Sequence, residues 1–228
     1  MRNLTSLALL IISVTFLAAC APAPIKLTAG TAQKLQGAHV QVIHFEAADF
    51  AIMTPTKAMF GAIGGAIGGA AGGVAAVSEG NALVHNDGID DPAAYIGHSL
   101  AEHLGQTYHF AGMTDLPQPH PVKDDDPTYA RTVTQAGLVI DVRTYMWSFI
   151  YFPTHWTKYQ PMYSARARII DTKTGTIVSQ QTCQIKGSDS DTAPTYDEMM
   201  TNSGAILKEQ IRKAADTCVM QIADKILG

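Results

Sequence analysis

The C-terminal part of the chain combines a strand pattern with a long helical pattern, and each pattern carries one cysteine on its apolar face. Alternate residues over 176–185 place Cys183 on the apolar face of a strand. Over 204–227 an apolar residue recurs at helical spacing, and Cys218 belongs to that stripe. Both sulfur atoms therefore face the surface where this helix would cover this strand.

A disulfide between Cys183 and Cys218 would tie the helix to the sheet. On the chain-entropy account it would stabilise the fold by about 4 kcal/mol. Two buried thiols are one alternative, and a redox or metal site is another. The chain has no C-x-x-C spacing, which argues against redox and metal chemistry.

The remaining patterns predict an α+β fold. An antiparallel or mixed sheet of about four strands would be covered by two helices on one face, and a Gly-rich helical insert would follow the first strand. Apolar alternation predicts strands over 38–45, 138–147, 162–171 and 176–185. A second helix is predicted over 92–105, with Asp90 or Asp91 as its N-cap and Gly105 as its terminator.

The N-terminal residues predict a signal peptide over 1–19. Arg2 supplies a positive start, and the apolar run over 7–19 is too short to span a bilayer comfortably. The run ends in the sequence Leu-Ala-Ala-Cys, whose cysteine is Cys20.

This ending resembles the lipobox of bacterial lipoproteins. The resemblance implies cleavage before Cys20 and a diacylglycerol with palmitate on its sulfur, so that two or three acyl chains hold the protein at a membrane. In this family an Asp after the cysteine retains the protein in the inner membrane. Ala21 stands at that position here, so the resemblance implies the outer membrane, with the domain facing the periplasm. The segment 20–37 would then be the lipidated cysteine and its tether, and 38–228 a single α/β periplasmic domain. An ordinary secretory signal with an incidental cysteine is the alternative.

The order of elements, the signal and the closing helix also resemble a small module of envelope proteins. It occurs in the periplasmic part of curli-secretion-channel lipoproteins and in the amino-terminal domain of the Tol-system translocation protein. No residue motif beyond Cys20 supports this resemblance, and a shared fold does not define a function.

The Gly-rich insert at 58–78 has no charged residue, and Gly61, Gly65, Gly69 and Gly73 recur every fourth position. On a helix they form a bare face that permits close contact with another helix or with lipid. Similar glycine zippers occur in outer-membrane lipoproteins, and a Gly-rich insert occurs in the surface-exclusion lipoproteins of conjugative plasmids. The insert is therefore predicted to make oligomer or membrane contacts. A flexible loop and a buried helix are the alternatives.

Aromatic residues are concentrated over 145–163. Continuous alternation would place Tyr145, Trp147, Phe149 and Tyr151 on one strand face, with Trp156 in the following loop. Such a face is a candidate surface for a partner. One alternative is that these rings cover the second side of the sheet, and another is that they anchor the protein at a membrane interface.

Composition and motifs narrow the function. Lys and Arg number 16 against 20 Asp and Glu, a net charge of −4, which argues against nucleic-acid binding. No motif predicts a cofactor, a metal or an enzyme. We therefore expect a lipid-anchored envelope protein that self-associates or joins another envelope protein, as a structural or accessory component of an assembly, secretion or transport complex. A monomeric binding or adaptor lipoprotein that uses the aromatic surface is the alternative.

Overall fold

The computed structural model describes residues 22–63, 65–187 and 191–228, and within these the chain forms six α-helices and six strands. The helices are α1 (Ala29–Ala32), α2 (Pro55–Ile63), α3 (Gly65–Asp87), α4 (Ala93–Tyr108), α5 (Ala130–Val133) and α6 (Tyr196–Leu227). The strands are β1 (His39–His44), β2 (Phe50–Met53), β3 (Gly112–Asp115), β4 (Leu138–Phe152), β5 (His155–Asp171) and β6 (Thr176–Lys186). The predicted signal peptide and Cys20 lie outside the described residues.

The strands form one mixed sheet. Strands β3, β1, β4, β5 and β6 lie side by side, and β2 pairs with the C-terminal half of β4. Strand β1 is parallel to β3 and β4, whereas β4, β5 and β6 are successively antiparallel. The α+β class is as predicted, but the described sheet has six strands rather than about four. The two extra strands, β2 and β3, have four residues each and are too short to show a clear period.

Helices α4 and α6 cover one face of the sheet, as their apolar stripes predict. Leu100 of α4 and Ile222 of α6 are fully buried in the main core, which they share with Ile140 of β4. The neighbouring residue in that strand, Val139, lies on the opposite face in a smaller core with Tyr129. Burying each large aliphatic side chain contributes about 1.5–3 kcal/mol, so the helix-covered face supplies most of the stabilisation.

The segment predicted as a tether is part of the fold from residue 22 onward. Ile25 and Gln180 exchange two backbone hydrogen bonds of 2.9 Å along β6, the outer strand on that side. Leu35 is fully buried in the main core, and Lys34 Nζ lies 2.6 Å from Asp171 Oδ2. Proline and small residues leave this segment without a period, which is why the sequence did not predict its packing.

Helix α6 is interrupted near its N-terminal end. Thr201 is extended, and the next three residues are left-handed, with φ of 53° at Asn202, 54° at Ser203 and 70° at Gly204. The left-handed conformation costs about 1–2 kcal/mol for a residue with a Cβ, so the surrounding packing must hold this turn. The uninterrupted part of α6 follows Gly204, where the apolar stripe predicts the start of the helix.

Candidate functional site

The structure joins Cys183 of β6 to Cys218 of α6 by a disulfide, with 5.3 Å between the Cα atoms. Both cysteines are buried in the main core. The bond ties the longest helix to the outer strand. This is the pairing that the two apolar faces predict.

The Gly-rich insert forms two helices rather than one. Gly61 lies in α2, whereas Gly65, Gly69 and Gly73 lie in α3. Gly64, between the two helices, lies outside the described residues. The predicted row of four glycines is therefore divided, although its helical conformation is as predicted. No helix among the described residues is long and apolar enough to cross a membrane.

The C-terminal half of α3 is fastened to β2 and α2. A Cβ at Gly80 would lie 2.0 Å from the Phe50 carbonyl oxygen, so only glycine allows this approach. The Phe50 N–H donates to Asn81 Oδ1 at 2.8 Å. Lys57 of α2 pairs with Glu79 at 2.6 Å. The insert is thus attached to the sheet through residues beyond its predicted end at 78.

The preceding part of α3 presents an uncharged surface to solvent. We call Ala70, Gly73, Val74 and Val77 the α3 surface. Val74 is 70% exposed, and a Cβ at Gly73 would meet no atom within 4 Å. Together with Asp49 these residues line an open cavity of about 530 Å³. The α3 surface is therefore both apolar and accessible.

The predicted aromatic face is divided between the core and the surface. Trp147 and Phe149 are 3% and 0% exposed in the main core, whereas Tyr145 is 38% exposed. The cause is a β-bulge between Thr144 and Met146, which moves the later odd-numbered residues of β4 to the helix-covered face. The prediction of a continuous aromatic partner surface is therefore wrong.

The other two members of that predicted surface are also separated. Tyr151 is partly buried against the main core. Trp156 is 58% exposed near the start of β5, and its indole N–H donates to the Pro153 carbonyl at 2.8 Å. The alternative function, a monomeric adaptor, required a continuous aromatic surface, and the structure does not form one.

An arginine cluster that the sequence did not single out occupies the face away from α4 and α6. The Asp125 carboxylate accepts hydrogen bonds from Arg143 and Arg166, each at 2.6 Å, and lies 2.9 Å from Arg168 Nη2. Arg168 also donates to the fully buried Asp141 at 2.6 Å. We call these five residues the arginine cluster.

The electrostatics of the arginine cluster favour a structural role. Burial alone would raise the pKa of Asp125, but Arg166, Arg168 and Arg143 outweigh burial and hold that pKa below its usual value. Asp125 is therefore ionised at neutral pH. It fastens the segment between β3 and β4 to the sheet, and buried pairs of this kind set a conformation more than they add stability.

Asp91, predicted only as a possible helix cap, is at the centre of a buried polar network. Its Oδ1 accepts from the Ala93 N–H at 3.0 Å and from the Thr144 hydroxyl at 2.6 Å, and that hydroxyl lies 2.8 Å from the Tyr163 hydroxyl. Burial raises the pKa of Asp91 to about 6, which the bonds from Thr144 and Ala93 offset only in part. Asp91 also lines a cavity of about 400 Å³ beside α4 and α6.

A third polar group lies on the surface of α4. His98 Nδ1 is 2.7 Å from Asp115 and its Nε2 is 3.4 Å from Glu102. The hydrogen bond to Asp115 is the main reason that the pKa of His98 is raised. Within the part of the chain that the structure describes, no three His, Cys, Asp or Glu side chains are placed to hold a metal ion.

No protein-family model and no curated protein match this sequence. Among solved structures, the chain is similar to the PelC dodecamer from Paraburkholderia phytofirmans, at 11% identity over 90% of this chain and 94% of that one, with a TM-score of 0.40. It is similar to lipoprotein GNA1162 from Neisseria meningitidis, at 15% identity over 82% and 99%, with a TM-score of 0.28. It is also similar to hypothetical protein CT253 from Chlamydia trachomatis, at 10% identity over 83% and 98%, with a TM-score of 0.37.

Proposed function

We propose that this protein is a lipid-anchored envelope protein that serves as a structural component of an assembly, and that its copies associate through the α3 surface. The α3 surface is the observation that supports this function. Val74 is 70% exposed there, on a helix that Gly80 and Asn81 hold firmly against β2. A contiguous apolar patch on a fixed element is typical of an interaction site.

A second copy of the chain is the partner that fits the α3 surface. Ala70 and Gly73 leave the helix backbone open, and Val74 and Val77 supply apolar contact beside them. The chain has no charged residue over 58–78, so two facing helices would bring no charge of their own to the contact. Asp49, at the edge of this surface, is exposed and accepts a hydrogen bond from Asn81. Small residues of this kind let two helices pack at short distance.

The attachment of the N-terminal segment supports a position at a membrane. Gln180 Nε2 donates to the Ala23 carbonyl at 2.8 Å, so the chain is fixed to β6 from Ala23 onward. Three peptide links separate Cys20 from Ala23, and they span at most about 11 Å. Acyl chains on Cys20 would therefore hold β6 close to the lipid headgroups. Copies anchored in one membrane would meet at a raised local concentration.

A matched pair of glycine substitutions tests this function. Gly73→Leu adds a side chain to the α3 surface, and Gly30→Leu adds the same side chain to α1, where a Cβ likewise meets no atom within 4 Å. We expect Gly73→Leu to break the assembly because it keeps two helices apart. Gly30→Leu should leave the assembly intact, and both variants should melt at about the wild-type temperature.

The measurement is the mass of the full-length protein in mild detergent, by light scattering coupled to size exclusion. A wild-type protein that is monomeric would contradict the proposed function. So would a Gly73→Leu variant with wild-type mass, since the contact would then lie elsewhere.

A further inference from the structure

A second cavity lies beyond the C-terminal end of α3, away from the α3 surface. The connection from α3 to α4 forms one side of it, and the continuous part of α6 forms the other. Its volume is about 400 Å³, within the usual range for sites that take small molecules. Ile89, Pro92 and Ile211 supply apolar walls.

One carboxylate oxygen of Asp91, which lines this cavity, has no hydrogen-bond partner. Asp91 uses Oδ1 for both of its hydrogen bonds, to Ala93 and Thr144. Its Oδ2 is shielded from solvent and accepts no hydrogen bond. An ionised oxygen in this position lowers the stability of the fold, because it has lost its hydrogen bonds to water and has gained no donor from the protein. The missing partner is a donor, and a positively charged donor compensates best.

The side of the cavity formed by α6 carries the opposite charge. Lys208 is exposed at the cavity and makes no ion pair within the described residues. Arg212 lies 3.4 Å from the centre of the Tyr95 ring and pairs with Asp216, so it stiffens the wall rather than standing free. The cavity thus offers a carboxylate on one side and a free ammonium on the other.

The wall around Ile89 rests on strained backbone. A Cβ at Gly204 would lie 3.2 Å from the Ile89 side chain, which places the left-handed turn of α6 directly behind it. Asn202 and Ser203 adopt that conformation although both have a Cβ. Strain of this kind persists where the surroundings hold it, and it is concentrated at ligand sites.

We propose that this cavity binds a small zwitterion, an amino acid or a short peptide, with its ammonium group at Asp91 and its carboxylate at Lys208. Asp91 Oδ2 is shielded from solvent, so the carboxyl group turns toward the ammonium group on binding, and the ammonium group supplies the donor that Oδ2 lacks. The carboxylate neutralises the lysine that has no other partner. The apolar walls accommodate a small aliphatic side chain between the two charges. This site does not depend on lipidation or on self-association.

Calorimetric titration of the full-length protein tests the proposal with three probes: alanyl-alanine, butylamine and propionate. Alanyl-alanine should bind most tightly because it satisfies both ends of the site. Butylamine should bind more weakly, and propionate should not bind measurably. Failure of both amine probes to bind would overturn the proposal.

Three substitutions assign the two ends of the site. Asp91→Asn keeps an acceptor for Ala93 and Thr144 but removes the charge, so it should weaken binding of both amines at least about 30-fold. Asp224→Asn, with the same chemical change at an exposed position of α6 outside the cavity, should have little effect. Lys208→Gln should weaken alanyl-alanine about 3- to 5-fold and leave butylamine unchanged. Equal affinity in the wild type and in Asp91→Asn would refute the assignment.

Proton release provides a readout that does not depend on affinity. The charged groups that line the cavity with Asp91 are Asp90, Lys208 and Arg212, and Asp91 is linked through Thr144 to Tyr163. Because the free carboxyl group has a pKa of about 6, an ammonium group that binds near pH 6 should displace its proton. The binding enthalpy should then vary with the ionisation enthalpy of the buffer. An enthalpy that is the same in all buffers would contradict contact with Asp91.

Discussion

The fold holds Asp91 with a pKa of about 6, against an ordinary value of 3.8, because burial disfavours its charged form. The folded state therefore prefers the protonated carboxyl group. Its contribution to stability is fully present below about pH 3.8 and is lost as the pH rises through about 6. Above that pH the fold carries a buried charge that lacks one partner.

Asp91→Asn removes this penalty and should make the protein more stable at pH 7.5, by up to about 3 kcal/mol. At pH 4 the variant and the wild type should differ little, because the wild-type group is then protonated in the folded state. Urea unfolding at the two pH values measures the difference. The same stability difference at both pH values would show that Asp91 does not titrate as its surroundings indicate.

Single residues were the hardest part of the structure to predict. The alternation of Arg166 and Arg168 in a predicted strand was a usable signal, because it places both on the face opposite the apolar residues. The partner was not predictable, since Asp125 lies 41 residues from Arg166 in a segment without a period. Asp90 or Asp91 was predicted as the N-cap, whereas Pro92 occupies that position and Asp91, one residue earlier, accepts from the Ala93 N–H. The burial of Asp91 depends on Thr144 and on α6, which only the three-dimensional packing brings together.

Helices and strands were predictable where apolar residues recur at a regular spacing over several helical turns or several strand residues. The sequence predicts four of the strands and both covering helices because each has an apolar face of that length. The bulge after Thr144 was not predictable, since one inserted residue leaves the local composition unchanged while it reverses the faces of Trp147 and Phe149. The insert was predicted as one helix because glycines recur throughout it and none of them marks where one helix ends and the next begins.

The packing of helix α3 on strand β2 can be tested by substituting the glycine at their contact. Gly80→Ala places a Cβ 2.0 Å from the Phe50 carbonyl oxygen, so α3 must move away from β2. We expect a loss of about 1–3 kcal/mol in the free energy of unfolding. The control is Gly30→Ala in α1, outside the α3 surface, where the Cβ meets nothing within 4 Å and helix propensity alone should add up to about 1 kcal/mol.

Denaturant unfolding of both variants distinguishes a packed helix from a loose one. Opposite signs for Gly80→Ala and Gly30→Ala are the expected result, because both substitutions add one methyl group to a helix and only the one at Gly80 meets other atoms. Two equal gains would show that α3 does not rest on β2.

At the scale of the whole molecule, the sheet, its two covering helices and the disulfide agree with the sequence, whereas the segment expected to be a tether is bound along β6. The position of the predicted anchor then has a mechanical consequence. Because Ala23 and Ile25 are bonded to Gln180, little chain separates Cys20 from the fold. An anchored copy could tilt only slightly, which would keep the α3 surfaces of neighbouring copies at a similar height above the membrane.

Removal of the anchor should separate membrane attachment from folding. Cys20→Ser should leave the precursor uncleaved and without labelled palmitate, because a hydroxyl group cannot form the thioether that the lipobox resemblance implies. The fold should be unaffected, because the hydrogen bonds to β6 start at Ala23. Cys218→Ser is the matched control: it also removes one sulfur, and it breaks the disulfide, but it should keep the palmitate label and lose thermal stability. Metabolic labelling and a thermal melt of both variants give opposite patterns if the two cysteines have these separate roles. Palmitate on Cys20→Ser would show that the chain is not anchored through Cys20, and the side-by-side assembly at a membrane would lose its physical basis.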